Sequence, residues 1–150
     1  MTSPADLFPF SSDSEGATLE LGRQFGLLMK RGDVVALLGD LGAGKTHFVK
    51  GMAISLGIAP EDVSSPTFTI AQEYRGSKSS IPLFHLDLYR LSSEKELLQA
   101  GVEDYVGGEG ICAIEWPQHA ETLLPSSTHI VKIVHGEGNQ RHFSYFPFAS

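Results

Sequence analysis

The chain has 150 residues, 41% hydrophobic and 19% charged, an ordinary globular balance that excludes disorder as a global description. That length suits one domain, because two cores would divide too little apolar material. With 11 lysines and arginines against 18 aspartates and glutamates the formal charge is −7, which excludes a strong grip on nucleic acid and leaves proteins or small anions as better-matched partners.

Residues 1–14 are rich in Ser, Pro and Asp and read as an irregular lead-in, with neither the basic region nor the apolar stretch of a secretory signal. A helix is predicted over 17–29, with Leu21, Phe25 and Leu28 on one face, Ser14 or Glu15 at its start and Gly32 beyond its end. The unbroken apolar run 34–38 suits a central strand covered on both faces. From Lys45 to Leu56 the pattern turns helical, with Phe48, Val49, Met52, Ala53 and Leu56 sharing a face before Gly57. Pro66 argues for a loop before a strand over 68–74, and a second strand spans 81–88. Ser93 and Glu96 form a capping box for a short helix ending at Gly101, and 102–106 adds a further turn. A buried-type strand covers 111–115, Pro117 opens a short helix or turn near 118–124, and 129–135 with 141–148 reads as an antiparallel hairpin. No run approaches the roughly 20 apolar residues of a membrane span.

Gly39-Asp40-Leu41-Gly42-Ala43-Gly44-Lys45-Thr46 matches G-x-x-x-x-G-K-[ST] at every fixed position. The glycines let successive backbone N–H groups converge on an anion, and the helix beginning near Lys45 adds its partial positive charge. Lys45 reaches the β- and γ-phosphates of a nucleotide and the Thr46 hydroxyl ligates Mg²⁺. Such a site also wants a carboxylate at the end of a neighbouring strand. Ile111-Cys112-Ala113-Ile114-Glu115 has the required shape and Phe84-His85-Leu86-Asp87 is a weaker version, with a solvated strand-end acid as the alternative for either. Trp116 either lies against the nucleotide or serves as a core or interface residue. Thr67, in a loop after the nucleotide-binding helix, is a candidate γ-phosphate sensor, with an ordinary turn hydroxyl as the alternative.

The six histidines show no metal-ligand spacing and read as structural, and Cys112, inside an apolar strand, reads as a small buried hydrophobe that cannot pair internally, fitting a reducing cytoplasm. The single asparagine, Asn139, followed by Gln140, leaves no Asn-Lys-x-Asp element for guanine. Arginines are few and no long insertion offers a lid, so a small-metabolite kinase is the runner-up, and Arg90 reads as a structural ion-pair residue before a phosphate ligand. A nucleotide-dependent binding module without useful turnover is a third class. A site lacking both lid and arginine finger implies a slow ATPase awaiting a partner.

Together with the P-loop, Ser65-Pro66-Thr67-Phe68-Thr69, Asp87-Leu88-Tyr89-Arg90-Leu91 and Ile114-Glu115-Trp116-Pro117 resemble the TsaE family, bacterial ATPases of threonylcarbamoyladenosine formation in tRNA. The likeness spans about residues 17–117. It implies a three-layer α/β/α P-loop NTPase domain with a mixed, mainly parallel sheet and antiparallel C-terminal strands. It further implies a cytoplasmic protein that works with TsaD and TsaB, meets tRNA only through them, and resets that complex by hydrolysing ATP. By position it assigns Leu41, Gly42, Ala43, Gly44, Lys45 and Thr46 to ATP, Thr46 and Glu115 to Mg²⁺ with Asp87 as a second metal-site acid, and Thr67 to a switch. His47 departs from the pattern, standing where a second hydroxyl residue often follows the P-loop threonine.

Overall fold

The computed structural model describes residues 2–39, 44–64, 71–89, 91 and 93–147. Its strands are β1 (Phe10–Ser12), β2 (Val34–Leu38), β3 (Ala71–Tyr74), β4 (Leu83–Asp87), β5 (Ile111–Glu115), β6 (His129–His135) and β7 (Arg141–Pro147), and its α-helices are α1 (Glu15–Leu27), α2 (Lys45–Ser55) and α3 (Glu94–Gln99). They form one sheet in the order β1-β7-β6-β2-β5-β4-β3. The central strands β6, β2, β5 and β4 are parallel, and both edges turn antiparallel through β6–β7, β1–β7 and β3–β4. Every residue of β5 is buried, as expected of an apolar run covered on both faces.

Alternation along the strands sorts side chains into two cores. Val35 and Leu37 of β2 join Ala113, Val131 and Phe143 beneath Leu21 and Phe25 of α1 and Phe48 and Met52 of α2. Val34, Phe84, Leu86, Cys112 and Ile114 face the other way, against Leu97 of α3, Val102 and Ala120. Helices on both faces of a mixed sheet give the three layers expected. Cys112 is buried in the second core, and burial pushes its thiol well above the usual range, leaving an unreactive small hydrophobe.

Residues 4–12 differ from the expected irregular lead-in. Pro4–Leu7 form a 3₁₀ turn and Phe10–Ser12 pair with β7, Phe10 opposite Phe143. Ser12 Oγ lies 2.8 Å from Thr18 Oγ1 and donates to Ser14 O at 2.8 Å. A three-residue strand carries almost no local signal; its pairing comes from the edge that β7 offers. Ser14 caps α1, its side chain accepting from Ala17 N at 3.1 Å, and the helix begins at Glu15, the start expected from Ser14 and Glu15. Ser93 likewise accepts from Glu96 N at 3.2 Å to start α3.

Where α1 crosses α2, glycine meets glycine. A Cβ on Gly22 would strike the Phe48 carbonyl oxygen, and one on Gly51 would strike the Leu19 carbonyl oxygen and stand 2.8 Å from Gly22 Cα. Gly51→Ala is therefore expected to lower stability by roughly 1–3 kcal/mol despite alanine's better helix propensity, because backbone must move to admit the methyl. Chemical denaturation checks this; an unchanged or raised midpoint would contradict the close crossing.

Candidate nucleotide site

The parallel strands end along one rim, and the chemistry collects there. In register, Glu115 closes β5 beside Leu37 of β2 and beside Asp87 of β4. After β2 the chain passes Gly39, and α2 opens with Gly44 at its N-cap, φ 103°, a left-handed conformation that glycine adopts without strain. A cleft of about 740 Å³ lies over this rim, with Lys45, Thr46, Asp87, Glu115 and Trp116 in its lining. It sits outside the carboxyl ends of the parallel strands, where open α/β sheets place ligands.

Lys45 is 4% exposed. Its Nζ donates to Gly39 O at 2.6 Å and stands 3.6 Å from the Trp116 ring centroid. Thr46 Oγ1 donates to Glu115 Oε2 at 3.3 Å, and Glu115 is itself 4% exposed. Asp87 Oδ1 accepts from Tyr89 N at 3.0 Å, a turn that holds the carboxylate at the strand end. Trp116 has φ 60°, ψ 59°, a left-handed conformation costing a non-glycine residue roughly 1–2 kcal/mol. Its ring meets Tyr89, centroids 4.9 Å apart. In this conformation, between the strand carboxylate and Pro117, the indole presents its face to Lys45.

The opposite wall comes from distant parts of the chain: Asp13, Ser14, Glu15 and Thr18 around the start of α1, and Asn139 and Arg141 from the β6–β7 turn. His47 Nε2 approaches Glu15 Oε2 at 3.5 Å across this side. Carboxylates outnumber cations in the lining, which suits an anion arriving with its own divalent cation better than an anion alone. Thr46, Glu115 and Asp87 supply hard oxygen donors at one end of the cleft. Among the described residues no three His, Cys, Asp or Glu converge on a point, and Mg²⁺, which takes much of its shell from phosphate and water, requires no such cage.

Leu41, Gly42, Ala43, Thr67 and Arg90 lie outside the described residues. Of the remaining expected positions, Gly44, Lys45, Thr46, Asp87, Glu115 and Trp116 all meet in the cleft. Two features were not anticipated. His85 reads as a structural histidine in the sequence, yet its ring contacts Glu115 at 2.5 Å. The only hint was its place two residues before Asp87, on the same strand face. No sequence signal joined residues 13–18 to 139–141, because the sheet edge alone brings them together.

The family model for TsaE, threonylcarbamoyl adenosine biosynthesis protein, matches residues 12–143. The chain belongs to the TsaE family. The tRNA threonylcarbamoyladenosine biosynthesis protein TsaE of Treponema pallidum is 41% identical over 86% of this chain and 93% of its own length. Its Bacillus subtilis counterpart is 43% identical over 77% of this chain and 70% of its own. In Synechocystis the TsaE protein is 48% identical over 71% of this chain and 68% of its own. The crystal structure of Bacillus subtilis YdiB superposes with a TM-score of 0.75 at 31% identity, covering 95% of this chain and 86% of that one. Matching through residue 143 takes this TsaE chain's family likeness beyond the 17–117 core into the C-terminal hairpin, which contributes Asn139 and Arg141 to the cleft. Among the described residues no helix is long and apolar enough to cross a membrane.

Proposed function

We propose that this chain is a Mg²⁺-dependent ATPase acting with TsaD and TsaB in the formation of N6-threonylcarbamoyladenosine in tRNA, its hydrolysis resetting that complex between turnovers. The observation that carries the reading is Thr46 bonded to Glu115 at the rim, beside buried Lys45, at the start of a helix that follows a G-x-x-x-x-G-K-T loop. Relatives named for threonylcarbamoyladenosine biosynthesis supply the pathway.

Lys45 carries the positive charge to the β- and γ-phosphates. The Gly39 carbonyl dipole and the indole face that it meets in the cleft are weaker partners for a buried ammonium than a phosphate oxygen. Thr46 can offer a lone pair to the cation while its O–H still donates to Glu115. Bound Mg²⁺ would neutralise charge developing on the phosphate oxygens. Trp116 lines this end of the cleft and packs against the ring of Tyr89. A formal net charge of −7 disfavours direct binding to tRNA and favours docking to other proteins as the route to the pathway.

Phosphate release measured with and without a TsaD–TsaB pair tests the reading. Hydrolysis is expected to be slow alone, absent in EDTA and clearly faster with the pair. Flat rates across a wide range of pair concentrations would contradict it, and a phosphorylated metabolite would shift the reading to a small-metabolite kinase.

A further inference from the structure

His85 lies on β4, is 0% exposed, and has two ring nitrogens in unlike circumstances. Nε2 stands 2.5 Å from Glu115 Oε2. A carboxylate only accepts, so Nε2 carries the hydrogen and donates it. Nδ1 is buried with no partner among the described residues. The ring thus directs its polar capacity at one carboxylate oxygen. Folding alone gives no reason for this choice, since β4 pairs with β5 through backbone at His85↔Ala113 and its neighbours Leu83, Phe84 and Leu86 are apolar. An apolar side chain would fill the space without an unsatisfied nitrogen.

Glu115 needs the help. Its other described donor, the Thr46 hydroxyl, is 3.3 Å away, long for an O–H···O bond, and sits on α2 rather than on the sheet. His85 is fixed in the adjacent strand, thirty residues away in sequence, and makes the shorter bond. We propose that His85 is a positioning residue for the nucleotide-bound cation: its Nε2–H locks the Glu115 carboxylate into the single orientation that meets both Thr46 and the metal. The inference rests on reading the cleft as a Mg²⁺–ATP site. It assigns to His85 no contact with nucleotide and no proton transfer. Residues that orient a metal-site carboxylate in this way typically govern affinity by 10- to 100-fold, without touching the ion.

The test uses the full chain with ADP and Mn²⁺, free Mn²⁺ being read by electron paramagnetic resonance, and ADP affinity in EDTA by calorimetry. His85→Met is expected to weaken Mn²⁺ binding roughly 10- to 100-fold and to leave metal-free ADP binding as it was. His85→Gln, whose amide N–H reaches the place of Nε2, restores most of the loss. His85→Asn, whose shorter amide does not, behaves like Met; the Gln and Asn pair decides the matter even if the Met variant does not fold. In a Glu115→Gln background, His85→Met adds no further loss. Equal Mn²⁺ affinity in all His85 variants, or a full additional loss in the Glu115→Gln background, overturns the role of His85 while leaving the site reading intact. A wild-type chain that binds no Mn²⁺ in the presence of ADP overturns the site reading itself, and the positioning role with it.

Discussion

Lys45→Ala is expected to reduce ATP hydrolysis by about 100- to 1,000-fold, the usual cost of removing one preorganised group from developing transition-state charge. Nucleotide affinity falls as well, because the ground-state phosphates lose a cation in a cleft already rich in carboxylates. The variant should fold. Lys45 is 4% exposed and sits against a carbonyl and an indole, so its removal takes an ammonium out of a poorly solvating place and leaves the apolar core below untouched. Single-turnover hydrolysis and calorimetric ADP binding, set beside a thermal melt, separate loss of chemistry from loss of fold. Hydrolysis at the wild-type rate by a folded Lys45→Ala chain would remove the phosphate-binding role from this residue and, with it, the proposed activity.

Glu115→Gln gives a second large effect with a different signature. The amide keeps the shape of the side chain and one acceptor oxygen, but loses the charge at the end of β5 that would draw the proposed divalent cation. Hydrolysis is expected to fall about 100-fold or more, with a raised Mg²⁺ requirement. ADP binding in EDTA should hold or tighten, since an anion then meets one carboxylate fewer. Opposite movements of metal-dependent and metal-free binding distinguish this residue from Lys45, whose loss lowers both. Asp87 stands in register with Glu115 on β4 and its Oδ1 accepts from Tyr89 N at 3.0 Å, while Glu115 accepts from Thr46 at 3.3 Å. If Glu115→Gln left the Mg²⁺ requirement of hydrolysis unchanged, the metal role would pass to another group.

The parts of this site that could be read from the chain were the parts written locally. The apolar run of β2, the glycine-lysine-threonine turn and the amphipathic face of α2 lie within one stretch of sequence, each governed by its own periodicity or backbone requirement. The four apolar residues ending in Glu115 carried the same kind of signal. The far wall did not. Residues 13–18 meet 139–141 because β1 pairs with β7, and strand pairing over such a distance leaves no trace in composition. The bond from His85 to Glu115 was hidden for a related reason: which carboxylate a buried histidine meets depends on which strand becomes its neighbour. The left-handed Trp116 was equally invisible, since no residue type there announces the conformation. Thr67 and the middle of the phosphate loop, Leu41 to Ala43, fall outside the described residues and stand as expectations from the sequence.

The glycine contact between α1 and α2 has a mechanical consequence. Helices pressed main chain to main chain at Gly22 and Gly51 neither slide nor splay without one of them rising off the other. The front ends of the same two helices carry Ser14 and Glu15 on one side and Lys45 and Thr46 on the other, so this jaw of the cleft travels as a single block, its gape fixed at the crossing. Adjustment to what enters falls instead to the parts of the lining off these two helices, Trp116 at the end of β5 and Asn139 and Arg141 at the β6–β7 turn.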